Sequence, residues 1–181
     1  MLENKNEKNL LTNSILRRLL IAVIIGLLFW GGLMLINQQH SSKSSEPAPD
    51  LEWSDIYGNA ISLRDYRGKV VLVNNFAVWC PPCKAEMPEL ESYYLENKDK
   101  GFVILGIEAG QPRDVVLLFS QSMGLSFPIV LDPGMESLRA FRMNGLPNSI
   151  LIDRQGMIRQ AWVGAVDKTF LEKQVTPLLD E

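Results

Sequence analysis

The segment Trp79-Cys80-Pro81-Pro82-Cys83-Lys84 determines how the rest of the chain is interpreted. It contains the only two cysteines among the 181 residues. The apolar run 70–73 precedes it and predicts a buried strand, and residues 86–98 follow it and predict a helix. The segment therefore places two thiols in a tight turn between a strand and the start of a helix. Thiols at this spacing can form a disulfide reversibly, which predicts thiol–disulfide exchange.

The two cysteines are predicted to have different roles. A thiolate is the species that attacks a disulfide, and unpaired N–H groups at a helix N-terminus favour negative charge on Cys80. Cys83 lies within the first turn, where it is less accessible, and is suited to resolve the mixed disulfide that Cys80 forms. Pro81 and Pro82 contribute no N–H donors, which limits the acidity of Cys80 and favours a reductant over an oxidant.

Two other interpretations of the cysteine pair are less favoured. A structural disulfide closing a four-residue ring would constrain little of the unfolded chain. A metal site would need further Cys or His ligands, and the only histidine, His40, falls in a predicted linker. We therefore expect no metal, and no cofactor other than the redox-active Cys80–Cys83 disulfide itself.

The N-terminal quarter of the chain predicts a membrane anchor. Residues 19–36 carry no charge, and 18 helical residues span about 27 Å, close to the thickness of a hydrocarbon core. Positive charges precede the run, which predicts that residues 1–18 are cytoplasmic. Residues 37–181 are then extracytoplasmic, on the periplasmic or outer face of the cell membrane. A cleaved secretion signal is the alternative, but no small-x-small cleavage site follows. The Ser-rich residues 37–50 predict a flexible linker.

Residues 51–181 have the composition of one globular domain. They contain 13 Lys and Arg against 17 Asp and Glu, so no basic stripe is available for nucleic acid. Strands are predicted at 51–54, 60–63, 70–76, 102–107, 128–131, 149–152 and 158–163, the first two forming a hairpin. Further helices are predicted at 115–123, 135–142 and 167–179, the last with Asp167 as its N-cap. This alternation predicts an α/β or α+β sandwich.

Several stretches resemble a known family over residues 47–181. They are the segment 63–74, the dithiol segment extended to Pro88, residues 127–132, Gly145-Leu146-Pro147, residues 151–156 and Val163-Gly164-Ala165. The domain resembles membrane-anchored thioredoxin-like thiol–disulfide oxidoreductases of the TlpA/ResA type, a group that includes proteins of cytochrome c maturation. The resemblance implies a thioredoxin fold, a central mixed sheet flanked by helices, with an N-terminal hairpin extension after the transmembrane helix.

The resemblance also implies a substrate surface. Pro147 matches a proline that is cis and packs against the disulfide, and Leu146 would offer its backbone to a bound chain. Trp79, Pro81 and Pro82 would contact the substrate beside the nucleophile. The implied substrates are protein disulfides, with the CxxCH segment of apocytochrome c foremost, and a membrane thiol reductant would restore the dithiol.

Several positions depart from the family pattern. Asn74 stands where thioredoxin has a buried aspartate thought to relay protons, and Asn75 stands where an aromatic residue is usual. A buried polar group costs about 1–3 kcal/mol unless hydrogen-bonded, so Asn75 is expected either to have a partner or to face an opening. Gln111 replaces a glutamate of the ResA-like cavity. Glu108, at the end of the 102–107 strand, is a candidate substitute proton relay; the alternative is a solvated carboxylate.

Other functions remain open at this stage. The protein could act as a disulfide oxidant or isomerase rather than a reductant. A peroxide-reducing enzyme would need a lone Thr-x-x-Cys nucleophile, which the sequence lacks. A non-catalytic binding module or metallochaperone could use the same fold.

Overall fold

The computed structural model describes residues 46–181. Its strands are β1 (Glu52–Asp55), β2 (Ala60–Ser62), β3 (Val70–Phe76), β4 (Phe102–Glu108), β5 (Ile129–Leu131), β6 (Asn148–Ile152) and β7 (Ile158–Val163). Its α-helices are α1 (Pro81–Asn97), α2 (Arg113–Met123), α3 (Glu136–Ala140), α4 (Lys168–Gln174) and α5 (Thr176–Leu179). Short 3-10 turns follow β2 and α1, at Leu63–Tyr66 and Lys98–Lys100.

The strands form one mixed sheet in the order β2-β1-β5-β4-β3-β6-β7. The central strands β3, β4 and β5 are parallel, whereas β6, β7 and the β1–β2 hairpin run antiparallel to their neighbours. Every residue of β3 and β4 is buried, as expected for parallel strands covered on both faces. The predicted mixed sheet and its hairpin extension are confirmed.

Apolar side chains form one core on each face of the sheet. The first core contains both cysteines, Met87 and Leu90 of α1, and Leu171 of α4. Alternate residues of β3 and β4 contribute to it, among them Leu72 and Ile104. The second core, on the opposite face, contains Trp53, Val73 and Leu105. The dithiol is thus embedded in the same apolar layer that holds α1 against the sheet.

The helix after the cysteines begins at the dithiol, as predicted from the placement of Cys80 at a helix N-terminus, although its side-chain pattern indicates a helix only from residue 86. It starts at Pro81 rather than near Glu86, with Cys80 as the N-cap residue. Prolines are tolerated at the first positions of a helix because the N–H groups there have no intrahelical partner. Cys83 therefore lies in the first turn of α1.

The C-terminal segment was predicted as one helix over 167–179 and forms two. Asp167 is the N-cap as predicted, since its Oδ1 accepts from the Phe170 N–H at 2.7 Å. The first helix ends at Gln174, and Pro177 occupies the first turn of the second. Pro177 has no N–H to donate to the carbonyl four residues earlier, which explains the interruption.

The folded domain includes residues that the sequence pattern assigned to the linker. The Ile158 N–H donates to the Glu46 carbonyl at 2.9 Å, and the Ala48 N–H donates to the Gly156 carbonyl at 3.0 Å. Asp50 forms an ion pair with Arg64. Backbone pairing of this kind requires no apolar periodicity, so the sequence pattern did not reveal it.

The predicted anchor at 19–36 lies outside the described residues, as do residues 1–18 and 37–45. Among residues 46–181, no helix has both the length and the apolar character needed to cross a membrane.

Close packing at Gly106 in β4 generates a stability prediction. A Cβ added there would lie 3.0 Å from the Phe127 ring and 3.4 Å from the Phe76 ring. We expect Gly106→Val to lower the free energy of unfolding by about 1–3 kcal/mol through overpacking, measured by urea denaturation. Gly134→Val is the control, because a Cβ there meets only flexible side chains of Glu136 and Arg139. Equal effects at both positions would contradict the prediction.

Candidate active site

The two cysteines form a disulfide at the N-terminus of α1, just after β3. The S–S distance is 2.11 Å, and the Cys80 N–H donates to the Ala77 carbonyl at 3.0 Å. Because residues 81 and 82 are prolines, Cys83 has the first free N–H of α1, and it donates to Cys80 Sγ at 3.3 Å. Cys80 is 4% exposed and Cys83 is 0% exposed. A thiol partner can therefore approach Cys80 and not Cys83, and the helix N-terminus provides a donor to the Cys80 sulfur.

The residues around the disulfide form an exposed rim. Trp79 is 62% exposed, and Pro81, Pro82 and Lys84 also lie at the surface. Three of the residues predicted to contact substrate are thus available on the surface beside Cys80.

The predicted proline turn has the expected backbone. The Leu146–Pro147 peptide bond is cis, and the Pro147 carbonyl accepts from the Gly164 N–H at 2.8 Å. The Leu146 side chain packs against the core that contains both cysteines. Within residues 46–181, neither the N–H nor the carbonyl of Leu146 forms a hydrogen bond. Both groups can therefore pair with another chain.

Glu86 is a buried carboxyl on the same helix face as Cys83. The two residues are three positions apart on α1, a spacing that places side chains next to each other. Glu86 is 2% exposed; its Oε1 accepts from Asn74 Nδ2 at 2.9 Å and its Oε2 from the Val166 N–H at 3.0 Å. Burial raises the pKa of Glu86 to about 7, although these two hydrogen bonds oppose the shift.

Asn74 is suited to both protonation states of Glu86. Its Nδ2 also donates to Ser149 Oγ at 3.0 Å, whereas its Oδ1 is buried without a partner in the described part of the chain. The ionised carboxylate of Glu86 accepts from Nδ2. A protonated Glu86 could donate to Oδ1 after rotation of the amide, since the Ser149 hydroxyl both donates and accepts. Asn74 cannot titrate, but rotation of its amide can maintain a hydrogen bond to Glu86 in either protonation state of that carboxyl.

Glu108 lies at the end of β4, opposite Phe76 of β3. It is completely buried, which excludes the alternative of a solvated carboxylate. Its Oε2 accepts from the Gln111 N–H at 2.7 Å, and its Oε1 has no partner among residues 46–181. Burial raises the pKa of Glu108, opposed by the hydrogen bond from the Gln111 N–H. Its position opposite Phe76 places this carboxyl beside the end of the strand that precedes the cysteines.

Asn75 has a hydrogen-bond partner, one of the two outcomes expected for it. Its Nδ2 donates to Asn148 Oδ1 at 2.7 Å across the β3–β6 pair. Within residues 46–181, no group of three or more His, Cys, Asp or Glu side chains is arranged to hold a metal ion.

The comparisons with known proteins agree with this geometry. The family model described as the AhpC/TSA family matches residues 45–161. The chain is 33% identical over 153 residues to the thiol–disulfide oxidoreductase ResA of Halalkalibacterium halodurans, covering 84% of this chain and 86% of that one. It is 38% identical over 128 residues to ResA of Geobacillus kaustophilus, covering 71% and 74%. The chain belongs to the AhpC/TSA family, as a ResA-type thiol–disulfide oxidoreductase.

Solved structures support the same fold for this ResA-type protein. A thiol:disulfide interchange protein of the thioredoxin family from Chlorobium tepidum aligns with a TM-score of 0.69 and 28% identity, covering 75% of this chain and 97% of that one. A secreted thiol–disulfide isomerase from Corynebacterium glutamicum aligns with a TM-score of 0.69 and 26% identity, covering 74% and 86%.

Glu86 is a site residue of this ResA-type chain that the sequence pattern did not reveal. Cys83, Met87 and Leu90 define the buried face of the helix that carries it. A glutamate three residues after Cys83 necessarily shares this face. A charged residue on a buried helix face was the signal that could have identified it. Asn148 and Ser149 were overlooked because their roles depend on pairing between distant strands.

The raised pKa of Glu86 predicts how stability depends on pH. The folded state binds the Glu86 proton more tightly than the unfolded state, so this contribution to stability is complete below about pH 4.5 and is lost as pH rises through about 7. We expect the free energy of unfolding of Glu86→Gln, relative to wild type, to increase by about 3 kcal/mol over this range, measured by urea denaturation. A difference that does not change with pH would contradict the prediction.

Proposed function

We propose that this thiol–disulfide oxidoreductase is anchored in the cell membrane by residues 19–36 and reduces protein disulfides outside the cytoplasm. The leading substrate is the CxxCH disulfide of apocytochrome c. One observation carries the proposal: the Cys80–Cys83 disulfide lies at a helix N-terminus with a carboxyl of pKa about 7 one turn beyond Cys83. A site that only held two elements together would have no need of a proton acceptor.

The reaction begins with the reduced protein. The Cys80 thiolate attacks a substrate disulfide, its S–S bond breaks, and a mixed disulfide forms while one substrate sulfur leaves and takes up a proton. The Cys83 thiol then transfers its proton to the Glu86 carboxylate and attacks Cys80 Sγ. The Cys80–Cys83 disulfide forms, and the second substrate sulfur leaves and is protonated. Two electrons pass to the substrate. Its two sulfurs take up two protons, one from the solvent, because Cys80 reacts as a thiolate, and one that Cys83 gave to Glu86.

The two buried carboxyls are the proposed proton-handling groups. A base is most effective when its pKa is near the working pH, which the value of about 7 for Glu86 satisfies. Glu86 also shares a helix face with Cys83, the thiol that must lose its proton in the second step. Glu108, with an oxygen that has no partner in the described domain, is the second candidate.

Substrate binding is assigned to the rim and the proline turn. The unpaired backbone groups of Leu146 would form hydrogen bonds with an extended substrate segment, as an added strand does at a sheet edge. Trp79, Pro81 and Pro82 would contact the residues that flank the substrate cysteines, with Pro147 beneath them. Sequence-tolerant backbone pairing suits a substrate recognised by its disulfide rather than by a folded surface.

A membrane thiol reductant is the proposed partner. Dithiols outside the cytoplasm drift toward oxidation, so a reductant there requires continual renewal. The absence of N–H donors at Pro81 and Pro82 favours this direction, because it limits the acidity of Cys80. An oxidant or isomerase is the alternative within the class, supported by the Corynebacterium glutamicum isomerase of similar fold.

The equilibrium redox potential separates these functions. We expect the purified full-length chain, titrated in thiol buffers, to have a potential near or below about −230 mV, as reductants do. A potential near about −120 mV would identify a disulfide donor and overturn the reductive assignment. Failure of Cys80 and Cys83 to interconvert between dithiol and disulfide would instead support a binding module or metallochaperone.

Single-turnover reduction of a disulfide peptide tests the proton acceptor. We expect the wild-type rate of mixed-disulfide resolution to rise with pH through about 7, following Glu86 ionisation. Glu86→Gln should lower this rate on the order of a hundredfold at neutral pH and remove the inflection. Glu89→Gln, an exposed position on the same helix, is the control and should retain both. If Glu108→Gln removes the inflection while Glu86→Gln keeps it, Glu108 is the acceptor.

A further inference from the structure

We propose that Asn75 and Asn148 are positioning residues that fix the orientation of the Leu146 backbone for substrate binding. The inference rests on the proposed pairing of Leu146 with a substrate chain, and it assigns that pairing a specific structural support. Neither asparagine is assigned a contact with the disulfide. They act through the carbonyl group of Gly145.

A chain of two hydrogen bonds links β3 to the proline turn. Asn75 and Asn148 are directly opposite each other in the antiparallel β3–β6 pair, and both are fully buried. Asn75 Nδ2 donates to Asn148 Oδ1 at 2.7 Å, and Asn148 Nδ2 donates to the Gly145 carbonyl at 2.7 Å. The chain therefore connects the strand that leads to Cys80 with the turn that precedes Pro147.

The Gly145 carbonyl determines which group donates in each of these two hydrogen bonds. A carbonyl oxygen can only accept, so Asn148 must present its NH2 group to Gly145. Its Oδ1 then faces Asn75, and Asn75 must donate. A residue at position 75 without a donor would leave Asn148 Oδ1 buried and unpaired or would force the Asn148 amide to rotate away from Gly145.

Holding the Gly145 carbonyl also orients the N–H of Leu146. These two groups belong to one planar, trans peptide unit, so their directions cannot change independently. The next carbonyl beyond Leu146, that of Pro147, accepts from the Gly164 N–H at 2.8 Å. Leu146 is thus held from both sides, while its own N–H and carbonyl are left unpaired within the described domain.

Two substrates separate positioning from a general effect on the fold or the thiols. A disulfide-bonded peptide with a CxxCH sequence needs the Leu146 backbone, whereas dithiodipyridine, a small neutral disulfide, needs only the Cys80 thiolate. The measured quantity is the second-order rate constant for the peptide divided by that for dithiodipyridine, both determined with the reduced full-length protein. A change in the thiolate content of Cys80 affects both rate constants equally and therefore cancels in this ratio.

We expect Asn75→Leu, which removes the donor without adding charge, to lower the ratio about tenfold at every pH, the order expected for loss of a neutral hydrogen bond. Asn75→Asp should give a ratio that depends on pH. The protonated carboxyl can donate to Asn148 and preserves the ratio at low pH, whereas the ionised carboxylate cannot donate and lowers the ratio as pH rises.

Asn97→Asp is the matched control. Asn97 is buried, and its Nδ2 likewise donates to a backbone carbonyl, that of Tyr93, at 2.9 Å. It lies near the C-terminal end of α1, on the order of 20 Å along the helix from Cys83, and should leave the ratio unchanged at every pH.

An unchanged ratio in both Asn75 variants would overturn the inference. So would an Asn75→Asp ratio that is independent of pH, or an equal fall in the ratio for Asn97→Asp. If the wild-type protein reacts with dithiodipyridine but not with the peptide, the proposed substrate class itself is wrong, and the inference is rejected with it. Wild-type activity on both substrates with unaffected variants rejects the positioning role alone.

Discussion

The hydrogen bond between Asn74 and Glu86 joins the central strand to the helix that carries the cysteines. Without it, the carboxyl of Glu86 would be buried in an apolar layer with one fewer donor, and the cost of burying its charge would rise. The same carboxyl also accepts from the Val166 N–H in the loop before α4. The Glu86 side chain therefore connects α1, β3 and the loop before α4. Its protonation would change the hydrogen bonds to Asn74 and to Val166 together.

Two adjacent residues of β3 serve opposite faces of the sheet. Asn74 points toward α1 and pairs across the sheet with Ser149, whereas Asn75 points to the other face and pairs with Asn148. Because side chains alternate along a strand, a single polar dipeptide can support the proton-handling group on one face and the substrate turn from the other. The two asparagines interrupt an otherwise apolar strand just before the cysteines. Their position brings the Asn74 amide to Glu86 on one face of the sheet and the Asn75 amide to Asn148 on the other.

The central features were predictable because they depend on local chemistry. The β3 run, the dithiol turn, the β1–β2 hairpin and the Asp167 cap all follow from residues close in sequence. The buried Glu86, the Asn75–Asn148 pair and the docking of residues 46–50 depend on which strands become neighbours, and a local pattern does not contain this information. The first turn of α1 has no apolar periodicity of its own, and it accepts two prolines because N–H groups at the first helical positions have no intrahelical partner.

The pairing of residues 46–48 with the turn between β6 and β7 determines where the chain enters the domain. That turn is at the end of the sheet where Val71 pairs with Ile152, whereas the cysteines follow the opposite end, where Asn75 pairs with Asn148. The entry point and the reactive sulfur are therefore separated by the length of β3, on the order of 20 Å. The described part of the chain therefore enters the domain at the end of the sheet that lies away from Cys80.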